Sequence, residues 1–164
     1  MDKSAFVYAG FSLPELLIAL TIVALLSVGG IQGWTAYQQA VRLEQQAQLV
    51  MLFLQRVQAN AYWYNDTRAV SVIQTGEDWC LREGGEVSLT CNEGSGGRLL
   101  PSARDVHIAA MTRPTITFHG LRNTAQAGNL VLENGAGRLR IVISIWGRIR
   151  LCSDTQPVLG IPRC

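Results

Sequence analysis

The chain has 164 residues, is 48% hydrophobic and 16% charged, and carries a formal net charge of +2. That length accommodates one folded domain with a real core and one non-globular segment. The total charge is too small to imply a polyanionic partner, but the charges are uneven: residues 65–112 hold four arginines against seven acids, and residues 113–164 hold seven arginines against Glu133 and Asp154.

The first ten residues, MDKSAFVYAG, contain the only lysine, Lys3, offset by Asp2. An apolar segment follows. Residues 11–31 are interrupted only by Ser12, Glu15, Thr21 and Ser27 among ordinary polar side chains, and as a helix they would extend about 31 Å, enough for the hydrocarbon core of a bilayer. A secretory signal peptide is the competing reading, but a carboxylate stands where its apolar region should begin and no A-x-A cleavage site follows. From residue 32 to 64 apolar positions recur mostly every three or four residues, at Trp34, Tyr37, Val41, Ala47, Val50, Leu54, Val57 and Ala61. Gln38, Gln39, Arg42, Gln45, Gln46, Gln48, Gln55, Arg56 and Gln58 fill the rest. This spacing predicts an amphipathic continuation of the same helix, its stripe buried on a domain of the same chain. The aromatics Trp34, Tyr37, Tyr62, Trp63 and Tyr64 read as core packing.

Glu15 needs an explanation, because a carboxylate in lipid costs at least a few kcal/mol unless it is paired or neutralised. It stands within G-F-S-L-P-E, residues 10–15, which resembles the class III signal of type IV prepilins and pseudopilins. The resemblance implies cleavage by a prepilin peptidase after Gly10, N-methylation of Phe11, and a role for Glu15 in assembly. A cationic amine created at Phe11 would find its counter-charge in Glu15 of a neighbouring, axially staggered subunit. Pro14 falls in the first helical turn, where its missing N–H costs nothing.

Beyond Tyr64 short runs rich in Val, Ile, Leu and Thr alternate with glycine clusters. Strands are expected at 69–74, 78–82, 86–91, 115–120, 129–134, 138–144 and 148–152, forming an antiparallel domain packed on the helix stripe. Four cysteines form two sequence-local pairs, Cys80 with Cys91 and Cys152 with Cys164. Two disulfides are expected if this part lies outside the cytoplasm. Free buried thiols and a zinc site remain the alternatives, the latter without the tight knuckles that zinc sites use.

DWCL, HGLRNTAQAGN and WGRIRLC extend the resemblance to the minor pilins grouped around prepilin peptidase-dependent protein A, the H-type minor pseudopilin, FimT and FimU. The implied organisation is a leader over 1–10, a transmembrane helix over 11–31, its amphipathic continuation over 32–64 and a periplasmic β-rich domain over 65–164. The fold class is therefore α+β, type IV pilin-like. The implied localisation is the inner membrane, with a single pass, and then the tip of a pilus or secretion pseudopilus. The implied partners are the peptidase and other minor and major pilins or pseudopilins. The N-terminal signal serves pilus and pseudopilus alike.

No catalytic residue, cofactor or metal is expected. His107 and His119, the only histidines, lie in no metalloprotease or hydrolase motif, and no nucleophile accompanies the Asp105–His107 spacing. The glycine clusters lack a P-loop lysine. DNA is the alternative partner: Arg138 with Arg140, and Arg148 with Arg150, lie two apart on predicted adjacent strands, so each pair shares a sheet face. Together they could form a phosphate-binding patch, or they could be solvated edge residues that discourage strand pairing.

Overall fold

The structure is a computed structural model that describes residues 12–76, 78–84, 91 and 97–164, with the side chains of residues 28–32 outside the description. Gly10, Phe11 and most of the strand expected at 86–91 lie outside the described residues. The chain divides into two compact units, Met1–Thr35 and Ala36–Cys164.

The helix α1 runs over Leu13–Tyr64. Its start follows from Ser12, whose carbonyl accepts the first helical bond from Leu16 N–H at 3.2 Å. In the first unit the large apolar side chains from Leu13 to Leu26 are 51–76% exposed. Thr21 and Ser27 each donate to their own helix, to the Ile18 and Val23 carbonyls at 2.8 and 2.7 Å. Their hydroxyls thus require no external partner. Among the described residues, no helix is long and apolar enough to cross a membrane. The segment expected to span, 11–31, includes Phe11 and the side chains 28–31, which lie outside the description.

In the second unit α1 buries one stripe, and it begins later than the spacing predicts. Leu43, Ala47, Val50, Leu54, Val57 and Ala61 are 0–1% exposed, whereas Tyr37 here, like Trp34 in the first unit, is more than half exposed. The reading of the helix aromatics as core packing is corrected here, because Tyr62, Trp63 and Tyr64 are also 57–80% exposed. Helical periodicity puts Tyr62 and Trp63 off the stripe, whereas Tyr64, three residues after Ala61 and on its face, is exposed at the end of the helix. Gln46 departs in the other direction. It is fully buried, and its Oε1 accepts from Ser102 N–H and Oγ–H at 2.8 and 2.7 Å.

Two antiparallel sheets enclose this stripe. The first has the order β3-β2-β1-β5-β6, built from β1 (Thr67–Thr75), β2 (Asp78–Glu83), β3 (Arg98–Leu99), β5 (Thr115–His119) and β6 (Thr124–Ala125). The second has the order β4-β7-β8-β9, built from β4 (His107–Met111), β7 (Gly128–Asn134), β8 (Gly137–Ile143) and β9 (Ile149–Ser153). Val70, Leu81, Ile116 and Phe118 of the first sheet join Leu130, Leu132, Leu139, Ile141 and Ile143 of the second in one core with the helix stripe. Trp79 closes the join between the sheets, its Nε1–H donating to the Val106 carbonyl at 2.9 Å. Strand β4 was not expected from the sequence, since HIAAM lacks the strong β-formers that mark the other long strands. Strands β3 and β6 are two residues each and leave no periodic signal.

The helix stops where Asn65 takes a left-handed conformation (φ 49°) and Asp66 N–H bonds the Ala61 carbonyl at 3.0 Å. Asparagine tolerates that backbone better than most residues. Gly120 packs on this cap so closely that an added Cβ would lie 2.4 Å from the Ala61 carbonyl oxygen.

Candidate functional site

Three surfaces carry the residues that the sequence marks out. The first is the helix start. Glu15 lies in the first turn of α1 and is exposed. It stands three residues after Ser12 in the S-x-x-E pattern of a capping box, and its charge complements the helix dipole there. This local role accounts for a carboxylate at the helix entrance. It leaves open its use as a counter-charge by another chain.

The second surface is the outer face of the β4-β7-β8-β9 sheet. In β8 burial alternates, with Leu139, Ile141 and Ile143 inward and Arg138, Arg140 and Val142 outward. Register pairs Arg140 with Cys152 and Val142 with Arg150 on β9, so the outward face of β8 continues onto Arg150. The arginines differ in their partners. Arg138 Nε lies 2.9 Å from Glu133, and Arg140 pairs with Asp154. The hydrogen bond to Glu133, and then its charge, raise the Arg138 pKa above its ordinary value. Arg148 and Arg150 are exposed and make no ion pair among the described residues; with Val142, Ser144 and Trp146 they line one depression. The expected patch of four free guanidinium groups is thus reduced to two, because acids on β7 and after β9 face the other pair.

The third surface adjoins it at the C-terminal end of α1. A groove of about 470 Å³ is lined by residues including Tyr62, Trp63, Asn123, Trp146 and Arg148. Gln58 organises it: its Nε2 donates to Asn123 Oδ1 at 3.0 Å and to the Gly147 carbonyl at 2.8 Å. Gly147 has φ 70°, and a Cβ there would lie 2.4 Å from both Gln58 Nε2 and the Asn123 carbonyl oxygen, so only glycine fits. The reading of the sequence missed this groove, because its walls come from residues more than 80 positions apart.

The cysteines form two disulfides, Cys80–Cys91 and Cys152–Cys164. The second holds the tail against the sheet edge, where Ser153 N–H bonds the Pro162 carbonyl at 2.8 Å and Cys164 N–H bonds the Ser153 carbonyl at 3.1 Å. His119 lies 3.4 Å from Thr67 Oγ1. Asp105 faces Arg42 at 3.7 Å. Among the described residues no group of three or more His, Cys, Asp or Glu is placed to hold a metal ion.

Comparison with known proteins bears on the first surface and on the fold. Residues 7–31 match the family described as the prokaryotic N-terminal methylation motif. No curated protein matches the chain. Two crystal forms of the type IV minor pilin FimU of Pseudomonas aeruginosa, strain PAO1, are similar in structure, both with a TM-score of 0.54. One is 18% identical over 73% of this chain and 92% of that chain; the other is 17% identical over 73% and 97%. At such identity the likeness is one of fold. The chain therefore joins a prokaryotic N-terminal methylation motif to a type IV pilin fold, in an α+β architecture similar to that of a minor pilin.

Proposed function

We infer that the protein is a minor type IV pilin or pseudopilin, a non-enzymatic subunit that helps initiate or cap a pilus or type II secretion pseudopilus. The observation that carries this reading is the methylation motif over residues 7–31 on a chain with the pilin fold. In this reading residues 1–10 are a leader, prepilin peptidase cuts after Gly10, and the Phe11 amine is methylated. Residues 11–31 anchor the chain in the inner membrane and the β-rich domain stands in the periplasm, the compartment in which two disulfides persist. The self-satisfied hydroxyls of Thr21 and Ser27 suit such an anchor.

Co-expression with a prepilin peptidase tests it by intact mass. The expected product begins at Phe11 and carries one added methyl group, while a bulky substitution at Gly10 leaves the precursor uncut. A chain that retains Met1–Gly10 beside an active peptidase overturns the reading. Glu15→Gln is expected to leave cleavage intact and to reduce incorporation beside neighbouring subunits, because removing one charge of a desolvated pair costs about 3–5 kcal/mol.

A second reading, a DNA receptor at the fibre tip, draws on the exposed Arg148 and Arg150. Arg138 and Arg140, already paired, contribute less to it. Arg148→Gln with Arg150→Gln should then weaken duplex binding equally across unrelated sequences and flatten its salt dependence. Unchanged binding removes this reading.

A further inference from the structure

At one end of the second unit, large apolar side chains are held in water by rigid backbone. The turn at 120–123 is pressed onto the helix cap at Gly120, and the turn at 144–148 is tied to α1 through Gln58. The latter turn is also closed internally, by Gly147 N–H on the Ser144 carbonyl at 3.0 Å and Arg148 N–H on Ser144 Oγ at 3.1 Å. From these fixed positions Leu121, Trp63, Trp146, Ile145 and Tyr62 project 84, 80, 77, 57 and 57% exposed. Clustered apolar exposure of this kind marks an interaction site. The charge beside Trp146 has one sign; Asp66, exposed after the helix with its backbone carbonyl accepting from Gly120 N–H at 3.1 Å, is an acid at this end. Arg122, Arg148 and Arg150 are exposed and make no ion pair among the described residues, and no Asp or Glu lines either depression that contains Trp146.

We propose that this end of the domain docks on an anionic lipid surface, inserting its side chains to interfacial depth. Trp63, Trp146 and Tyr62 combine an apolar body with a polar edge, the chemistry that settles at headgroup level. Leu121 and Ile145 reach the acyl boundary beneath it, and the arginines meet the headgroup phosphates. The two aliphatic side chains decide against a nucleic acid, because bases stack on rings and gain nothing from them. Arg148 lies in the groove beside Trp63 and Trp146, so the occupant must offer apolar depth and negative charge side by side, as an anionic bilayer does. A second copy docked through the same patch would set arginine against arginine. The inference goes beyond the assembly reading and does not depend on the site of cleavage.

The test uses the full chain, held on beads through a C-terminal tag and offered fluorescent vesicles of phosphatidylcholine with or without phosphatidylglycerol. Vesicles with phosphatidylglycerol should be captured preferentially, and high salt should reduce the difference. Trp63→Ser with Trp146→Ser should lower their capture roughly tenfold or more, and Arg148→Gln and Arg150→Gln roughly fivefold each. Leu52→Ser, at an equally exposed apolar position on α1, should change nothing. Capture through the apolar residues 13–27 is common to every variant, so a local readout accompanies it. Phosphatidylglycerol with brominated chains should quench tryptophan fluorescence, and the quenched part should vanish in Trp63→Phe with Trp146→Phe. Capture and quenching equal in all variants, or indifferent to phosphatidylglycerol, overturns the proposal. So does a patch variant that loses DNA binding while keeping vesicle binding.

Discussion

Leu20 and Leu54 belong to the same helix, yet the first is 57% exposed and the second fully buried. Around Leu20 the helix is apolar on every side; around Leu54 it is apolar on one side, with glutamines and arginines on the others. A helix face matches a sheet face only when it is bounded by polar flanks, and the second half has those flanks. The first half has none, so its apolar surface must be satisfied by something outside the chain's own core. Similar side chains thus have opposite consequences, set by what surrounds them.

The largest test of that contrast is Leu54→Ala, expected to cost about 2–5 kcal/mol of domain stability through the cavity it leaves. Leu20→Ala should change the same quantity by less than about 0.5 kcal/mol. Denaturant unfolding followed at the buried Trp79 measures both, and comparable losses would break the contrast. An intermediate effect is expected at Gln58, a polar residue of the second half that nevertheless binds the domain together. Gln58→Ala removes two hydrogen bonds that hold the turn at 144–148, and should cost about 1–2 kcal/mol while raising amide exchange at Gly147 and Arg148. The smallest effect is expected at the sheet surface. Arg138→Gln breaks an exposed pair with Glu133 and should leave the thermal unfolding midpoint essentially unchanged; a clear drop would show that the outer face contributes more than solvated charges do.

Much of this was legible without coordinates. A run rich in Ile, Val and Leu located β8 from RLRIVI, and the stripe from Ala47 to Ala61 announced the buried side of α1. Arg138, Arg140 and Arg150 lie on adjacent strands of one sheet as expected, but Arg148 falls in the turn before β9, and the partners of the first pair were not foreseen. Glu133 reaches Arg138 across the β7–β8 hairpin, and Asp154 reaches Arg140 from beyond β9. Gln46 read as surface because glutamine usually is; Ser102, 56 positions away, is what makes its burial tolerable. The aromatics at 62–64 failed for the converse reason, since bulk and apolarity suggest a core but they stand 57–80% exposed among the described residues.

What depends on neighbours within a few residues could be read along the chain: the helix, the N-terminal methylation motif, most strands, and the short spacings between cysteines. Those features rest on local backbone preference, periodicity and short contiguous motifs, all of which are written along the chain. The packing of the two sheets settled which arginines lack an ion pair among the described residues and which polar residues are buried. It also decided that Trp63 and Trp146 share a groove with Gln58 beneath them. Such choices are made by contacts between residues tens of positions apart, whose free energies exist only once the two sheets have closed on the helix.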